Sequence, residues 1–419
     1  MRSGSSLKVA ADSFISYDFN YPFLWFLDAA MPGLLKLVYN QDKLVISDED
    51  RKLLKSIKKK RVILIANHPT TEDPPVAYSI TLHMYSRANF MAAREVFDWG
   101  NGLVGKLIRS VGAYSVLAGS ADRESVKLSR RIISQPESKL VLFPEGEPNC
   151  KENDNLLPFQ SGVAQIAFWG YEDAVKKELG ADVYILPCFI KYRMNNPVEQ
   201  VKKDIDISLN TLEKKLGLEK TGKNVKQRLL SIGKQILLRF ENDFGIQVSE
   251  TQDFDYRIGR VRHHILDYVA EKTGIHKWDK TANAIEKLRR LLSTFEMVSV
   301  GIPDPKNELP SKELANWGRK ICERIYDFIS IQTPYITELA SAERVYEWIY
   351  RFESEVLGYS YKRPHNAHIS FAKPYNIKDL YPSYRKNKKQ SVEDLLHNLK
   401  SDLHTLMKKE IEKSPPIFE

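Results

Sequence analysis

The chain of 419 residues is poor in cysteine, with only Cys150, Cys188 and Cys322. Three cysteines build no paired framework, and their spacing matches no zinc or cluster pattern. Such usage fits a reducing compartment. No apolar run reaches the roughly eighteen residues that a bilayer span requires. The amino terminus has no basic leader followed by a clean apolar core and a small-residue cleavage site, so no secretory signal is expected there. No repeat of fixed period appears. Lys and Arg total 63 against 54 Asp and Glu, a net charge of +9. That balance favours anionic partners such as a lipid surface. Nucleic acid fits the charge alone, since no recognition motif accompanies it, and it is not expected as a partner.

What the chain does have is a histidine followed five positions later by an aspartate, in His68-Pro69-Thr70-Thr71-Glu72-Asp73. Ahead of it, Arg61 to Ala66 is an apolar run rich in β-branched residues after its first position. That pattern predicts a strand buried on both faces, as in a parallel sheet. His68 then falls at the strand's carboxyl end, where open α/β sheets place ligands. Pro69-Thr70-Thr71 reads as a turn, and Glu72-Asp73-Pro74-Pro75 as the acidic, proline-bearing start of a helix. Such a turn folds Asp73 back onto one ring nitrogen of His68. The other nitrogen is left to take a proton from a hydroxyl. The pattern is weak alone, because nine histidines give about half a match by chance. Asp73 as a plain helix cap is the bland alternative.

A second motif, Phe143-Pro144-Glu145-Gly146, ends another strand-like run, Ser138 to Phe143. A glycine lets backbone approach a ligand closely, and a glutamate accepts hydrogen bonds from substrate hydroxyls. Such a four-residue string arises by chance in about one chain of this size in several hundred. Gly112 to Ala118 and the proline-bearing run Val183 to Ile190 complete four blocks in order. Over roughly residues 60 to 193 these blocks resemble those of the glycerolipid acyltransferases, which include glycerol-3-phosphate and lysophosphatidate acyltransferases. The resemblance implies transfer of a fatty-acyl group from coenzyme A or acyl carrier protein to a glycerolipid hydroxyl. It implies His68 as base, Asp73 as its orienting partner, and Pro144, Glu145, Gly146 and Pro187 in substrate binding. No cofactor and no metal is implied beyond the acyl thioester as co-substrate.

The departures concern phosphate. Ala118 and Glu147-Pro148 stand where the family pattern offers arginines. Arginine suits a phosphate because its planar fork donates two parallel charge-assisted bonds. Arg94, Arg109, Arg123, Lys151, Lys191 and Arg193 are the substitute candidates, Arg123 leading, with Asp122 able to tie Arg123 into a surface pair. An acceptor without phosphate is therefore the alternative, with a non-catalytic lipid-binding protein as the reading from another class. His365 and His368 lack a neighbouring cysteine or carboxylate cluster, so no metal site is expected. His263-His264 reads as helix packing or surface.

Phe14 to Tyr39 is dense in aromatics and leucine, interrupted by Asp28, Pro32-Gly33 and Lys36. It reads as two short amphipathic helices lying in a headgroup boundary, or packed on the protein's own core. From about Glu199 to Tyr359 apolar residues recur every three or four positions, as in Val225, Leu229, Ile232, Ile236 and Phe240, with a break at Gly301 to Pro305. Ala367 to Phe371 reads as a strand and Ser391 begins a closing helix. The expectation is an α/β fold with a mainly parallel sheet flanked by helices, an amino-terminal interfacial helix pair and a large all-helical insertion. The boundaries expected are 1–45 for the membrane-facing helices, 46–195 and 361–419 for the acyltransferase domain, and 196–360 for the insertion. A peripheral position on the cytoplasmic side of a membrane follows.

Overall fold

The computed structural model describes residues 14–117, 122–146, 152–219, 224–247, 252–302 and 308–418. Ala118, Glu147, Pro148, Lys151 and the Pro303–Pro305 part of the expected break lie outside them. The chain divides into two compact units. The first comprises 1–149, 155–193 and 365–411; the second comprises 150–154, 194–364 and 412–419.

The first unit is built on an eight-stranded sheet. Its strands are β1 (Gln41–Ile46), β2 (Arg61–Ala66), β3 (Asn89–Ala93), β4 (Ala113–Val116), β5 (Lys139–Leu142), β6 (Val183–Met194), β7 (His365–Phe371) and β8 (Tyr375–Asn376). The order is β1-β7-β6-β2-β5-β3-β4, with β8 antiparallel to β6. β1 and β7, β6 and β2, β2 and β5, β5 and β3, and β3 and β4 run parallel. Every residue of β2 and β5 is buried, as a strand covered by helices on both faces requires. The helices of this unit are α1 (Tyr21–Tyr39), α2 (Asp48–Ser56), α3 (Asp73–Leu82), α4 (Leu103–Ser110), α5 (Arg123–Ile133) and α6 (Gly162–Lys177).

Register sets the site. Ile65 of β2 stands beside Leu142 of β5, so the two strands end level and their following loops meet. At the opposite ends, the Lys139 ammonium donates to the carbonyls of Lys58, Lys60 and Glu137 at 2.9, 2.6 and 2.8 Å. The first two of these bonds pin β5 to the turn before β2, and burial pulls the Lys139 pKa down to about 8. On the other flank Ala66 pairs with Cys188, and β6 continues to Met194, well past the end of β2.

The expected amino-terminal helix pair is a single helix. Asn20 caps α1 by accepting from the Phe23 N–H at 3.0 Å, and Asn40 ends it in the left-handed conformation. Pro32 sits inside it, exposed, so the backbone bond it forfeits lies on the solvent side. Leu24, Met31 and Leu35 form one buried stripe running past the proline, and this stripe keeps both halves on one axis. Asp28 is not a solvated interruption: its carboxylate takes two bonds from Arg87, at 2.8 and 2.7 Å, and one from the Tyr78 hydroxyl.

The second unit is helical: α7 (Val198–Leu216), α8 (Val225–Asp243), α9 (Phe254–Lys272), α10 (Ala284–Val300), α11 (Lys312–Tyr326), α12 (Pro334–Thr337) and α13 (Ala342–Leu357). Their apolar stripes meet in one core that includes Leu229, Ile265, Phe295, Trp348 and Phe352. α10 stops at Gly301, whose φ of 74° suits the left-handed end of a helix. An apolar cavity among Ile236, Phe240, Phe254 and Phe328 measures about 10 Å³, room for one water and not for an acyl chain. The first unit closes with α14 (Ile377–Lys386) and α15 (Lys388–Ile411).

Candidate active site

The site begins where β2 ends. The Asn67 amide clips the chain to β6, accepting the Ile190 N–H at 2.7 Å and donating to the Ile190 carbonyl at 3.1 Å. His68 follows, its ring stacked on Phe143 with centroids 4.3 Å apart. The turn is set by Thr70, whose hydroxyl accepts the Glu72 N–H at 3.1 Å. Asp73 then opens α3, with Pro74 and Pro75 in the first turn, where a missing N–H costs nothing. Its carboxylate folds back as the motif requires. Oδ2 accepts from His68 Nδ1 at 2.7 Å and from the Thr70 N–H at 2.7 Å.

Asp73 is fully buried, whereas the His68 side chain keeps 12% of its surface exposed. Burial pushes the Asp73 pKa up; the bonds from His68, Tyr192 and the Thr70 backbone oppose that. With the carboxylate ionised, the shared proton stays on Nδ1 and Nε2 carries the free lone pair. Among the described residues no partner occupies Nε2.

Glu145 is also buried, and its contacts give it an architectural place. Oε1 accepts the His68 N–H at 2.8 Å and Oε2 accepts the Leu157 N–H at 2.7 Å. One carboxylate thus ties the two motifs together through their backbones. Burial pushes its pKa up to about 7, against the pull of those N–H groups. Gly146 has φ of 77°, and a Cβ there would lie 1.8 Å from the Gln160 amide nitrogen. No larger residue fits without moving Gln160. The buried Pro144 accepts the Gln160 N–H through its carbonyl at 2.8 Å, closing the loop that follows β5.

The other predicted residues are placed differently. Arg94 is buried and donates to Asp98 at 2.9 Å, within the short 3₁₀ turns after β3. Arg123 is exposed at the first position of α5. Asp122 caps that helix, accepting from the Ser125 and Leu117 N–H groups at 3.1 and 3.0 Å. Pro187 is buried in β6 beside Ile65, and its carbonyl accepts the Ala372 N–H at 3.1 Å.

Two groups carried no signal in the motifs. The Tyr192 hydroxyl donates to Asp73 Oδ1 at 2.5 Å. His365 lies edge-on to the Tyr192 ring, with its Nε2 3.4 Å from Glu72 Oε2. Only the extension of β6 beyond β2 could have pointed to Tyr192, and only the return of the chain in β7 to His365. Among the described residues no three His, Cys, Asp or Glu side chains converge as a metal site would require.

A parallel sheet thus presents an oriented imidazole at the carboxyl end of a central strand, the place where open α/β sheets put their ligands. Residues 46–191 match the family model described as Acyltransferase, and this part of the chain is an acyltransferase domain of the glycerolipid acyltransferase family. No curated protein matches the chain.

Proposed function

We propose that the protein moves a fatty-acyl group from a thioester, on coenzyme A or acyl carrier protein, to a glycerolipid hydroxyl, with glycerol-3-phosphate or 1-acylglycerol-3-phosphate as the leading acceptors in phospholipid synthesis. The observation that carries this reading is the His68 ring, held at Nδ1 by Asp73 and open at Nε2. In the proposed reaction Nε2 takes the acceptor's hydroxyl proton as the oxygen attacks the thioester carbonyl. The tetrahedral intermediate collapses, the carbon–sulfur bond breaks, and the imidazolium returns its proton to the departing thiolate. Asp73 keeps the ring in the productive tautomer and balances the transient imidazolium.

An acceptor without a terminal phosphate, a lysophospholipid or another lipid alcohol, is the second acceptor class, favoured by the pairing of Arg94 with Asp98 rather than with open space. Arg123, exposed and left alone by Asp122, is the candidate phosphate reader. The test is purified protein with palmitoyl-coenzyme A and a panel of lysophosphatidate, glycerol-3-phosphate and lysophospholipids. A phosphate acceptor predicts product with the first two and a higher KM for them in Arg123→Ala. Product with lysophospholipid alone selects the second class, and no product with any acceptor rejects the acyl-transfer reading.

We also place the protein at a membrane surface. Tyr21, Trp25, Phe26, Leu37 and Val38 of α1 are exposed, as are Leu103 and Leu107 of the adjoining α4. Among the described residues no helix is long and apolar enough to cross a membrane. An aromatic and aliphatic face of this kind suits the headgroup boundary.

A further inference from the structure

Asp73 is the one acid on which the His68 ring depends, and its surroundings are unusual for a buried carboxylate. Among the described residues no arginine or lysine pairs with it. Oδ2 is filled by His68 Nδ1 and the Thr70 N–H. Oδ1 is filled by a phenol, that of Tyr192, which is 6% exposed and stands on the stretch of β6 that overshoots β2.

We propose that Tyr192 is the positioning residue of this site: its phenol locks the Asp73 carboxylate so that Asp73 holds the Nδ1 proton on His68 and leaves Nε2 ready for an acceptor hydroxyl. The proposal rests on the reading of His68 as the base. Donors on both oxygens fix the carboxylate plane, which then fixes the imidazole plane. A phenol stabilises the anion without cancelling it. A guanidinium would neutralise Asp73 and weaken its hold on the imidazolium formed during reaction. The other titratable groups facing this cluster are Tyr39 from α1, Glu72 beside Asp73, Glu145 from the loop after β5, and His365 from β7. Glu72 and Glu145 add negative charge, which makes a neutral donor at Oδ1 the more necessary.

The sign of the pH effect follows. The phenol bond is stronger to the pair with net charge −1, neutral His68 and ionised Asp73, than to the protonated pair. Removing it raises the proton affinity of the pair, so the acidic limb of activity moves to higher pH. A hydrogen bond to an ionised group is worth up to about one pH unit in such a limb.

The experiment uses the full chain with palmitoyl-coenzyme A and lysophosphatidate, and follows the His68 Nδ1–H proton resonance by NMR. Tyr192→Phe keeps the ring packed against His365 and removes one oxygen. The expected result is a fall in kcat of about tenfold, KM for the acyl donor within about twofold of wild type, an acidic limb raised by about 0.5 to 1 unit and a displaced His68 resonance. Added to Asp73→Asn, the same change has no further effect. Replacing Tyr192 by 3-fluorotyrosine, a stronger donor that preserves the fold, moves the limb the opposite way. An unmoved limb and resonance in both Tyr192 variants, with a loss that adds in full to Asp73→Asn, overturns the proposal. Retained turnover in folded His68→Ala overturns the reading of His68 as the base instead.

Discussion

The two units bury carboxylates in contrasting ways. In the helical unit three are met by a guanidinium: Glu152 by Arg351 at 2.8 Å, Asp154 by Arg344 at 2.9 Å, and Glu353 by Arg363 at 2.8 Å, while Glu347 takes the Tyr335 phenol and the Asn153 N–H. In the sheet unit Asp73 meets an imidazole, a phenol and a backbone N–H, and Glu145 meets two backbone N–H groups. An arginine never gives up its proton, so its pairs are fixed in charge and serve structure. An imidazole opposite a carboxylate has a proton that can move at neutral pH. These arginine pairs hold their charge in place, and the His68–Asp73 pair of the sheet unit keeps a proton that can move.

The largest expected effect breaks the first kind of pair. Arg351→Ala leaves Glu152 charged and buried, which costs about 3 to 5 kcal/mol. Denaturant unfolding reads it, and a loss under about 1 kcal/mol would mean the pair adds little to packing. Asp73→Asn sharpens the contrast. Burial holds the native pKa of Asp73 above its unfolded value, so stability declines as pH rises from the unfolded value through the native one. The asparagine variant therefore loses less stability at pH 7 than Arg351→Ala, while activity falls sharply. Thermal melts and turnover on the same samples compare the two.

Glu145 gives the next effect. Its pKa rises from 4.5 to about 7. Its contribution to stability is thus full below about 4.5 and is lost as pH rises toward 7. Melting temperature against pH should show this slope in the wild type and a flatter one in Glu145→Gln. Identical slopes would remove Glu145 as the titrating group. The smallest effect on folding is expected at α1. Trp25→Ser with Phe26→Ser alters exposed side chains, 65% open in each case, so the melting temperature changes little. Flotation with acidic liposomes should nevertheless drop, and undiminished flotation would detach α1 from the membrane reading.

Much of the sheet unit was legible. The run Arg61 to Ala66 is β2 end to end, because a strand covered on both faces carries no polar residue after Arg61 to blur its limits. The turn from His68 to Asp73 forms as its residue types demand. β6 was harder. Lys191, Tyr192 and Arg193 look like a strand's polar end, yet β6 runs on through them to Met194. Their partners lie far away in sequence, Asp73 for Tyr192 and Glu410 for Arg193. Pro32-Gly33 reads as a break, but a buried stripe on the opposite face carries α1 across it. The motif gives Glu145 a carboxylate at a strand end, and only the level ends of β2 and β5 turn it toward backbone.

The most direct test of the central claim is the rate of acyl transfer from radiolabelled palmitoyl-coenzyme A to the best acceptor of the panel, in wild type and in His68→Ala protein with matched melting temperatures. A positioned histidine base contributes about 10²- to 10⁴-fold. The account predicts labelled lipid product from the wild type and a loss of that size in the variant. Equal rates from the two proteins would contradict it.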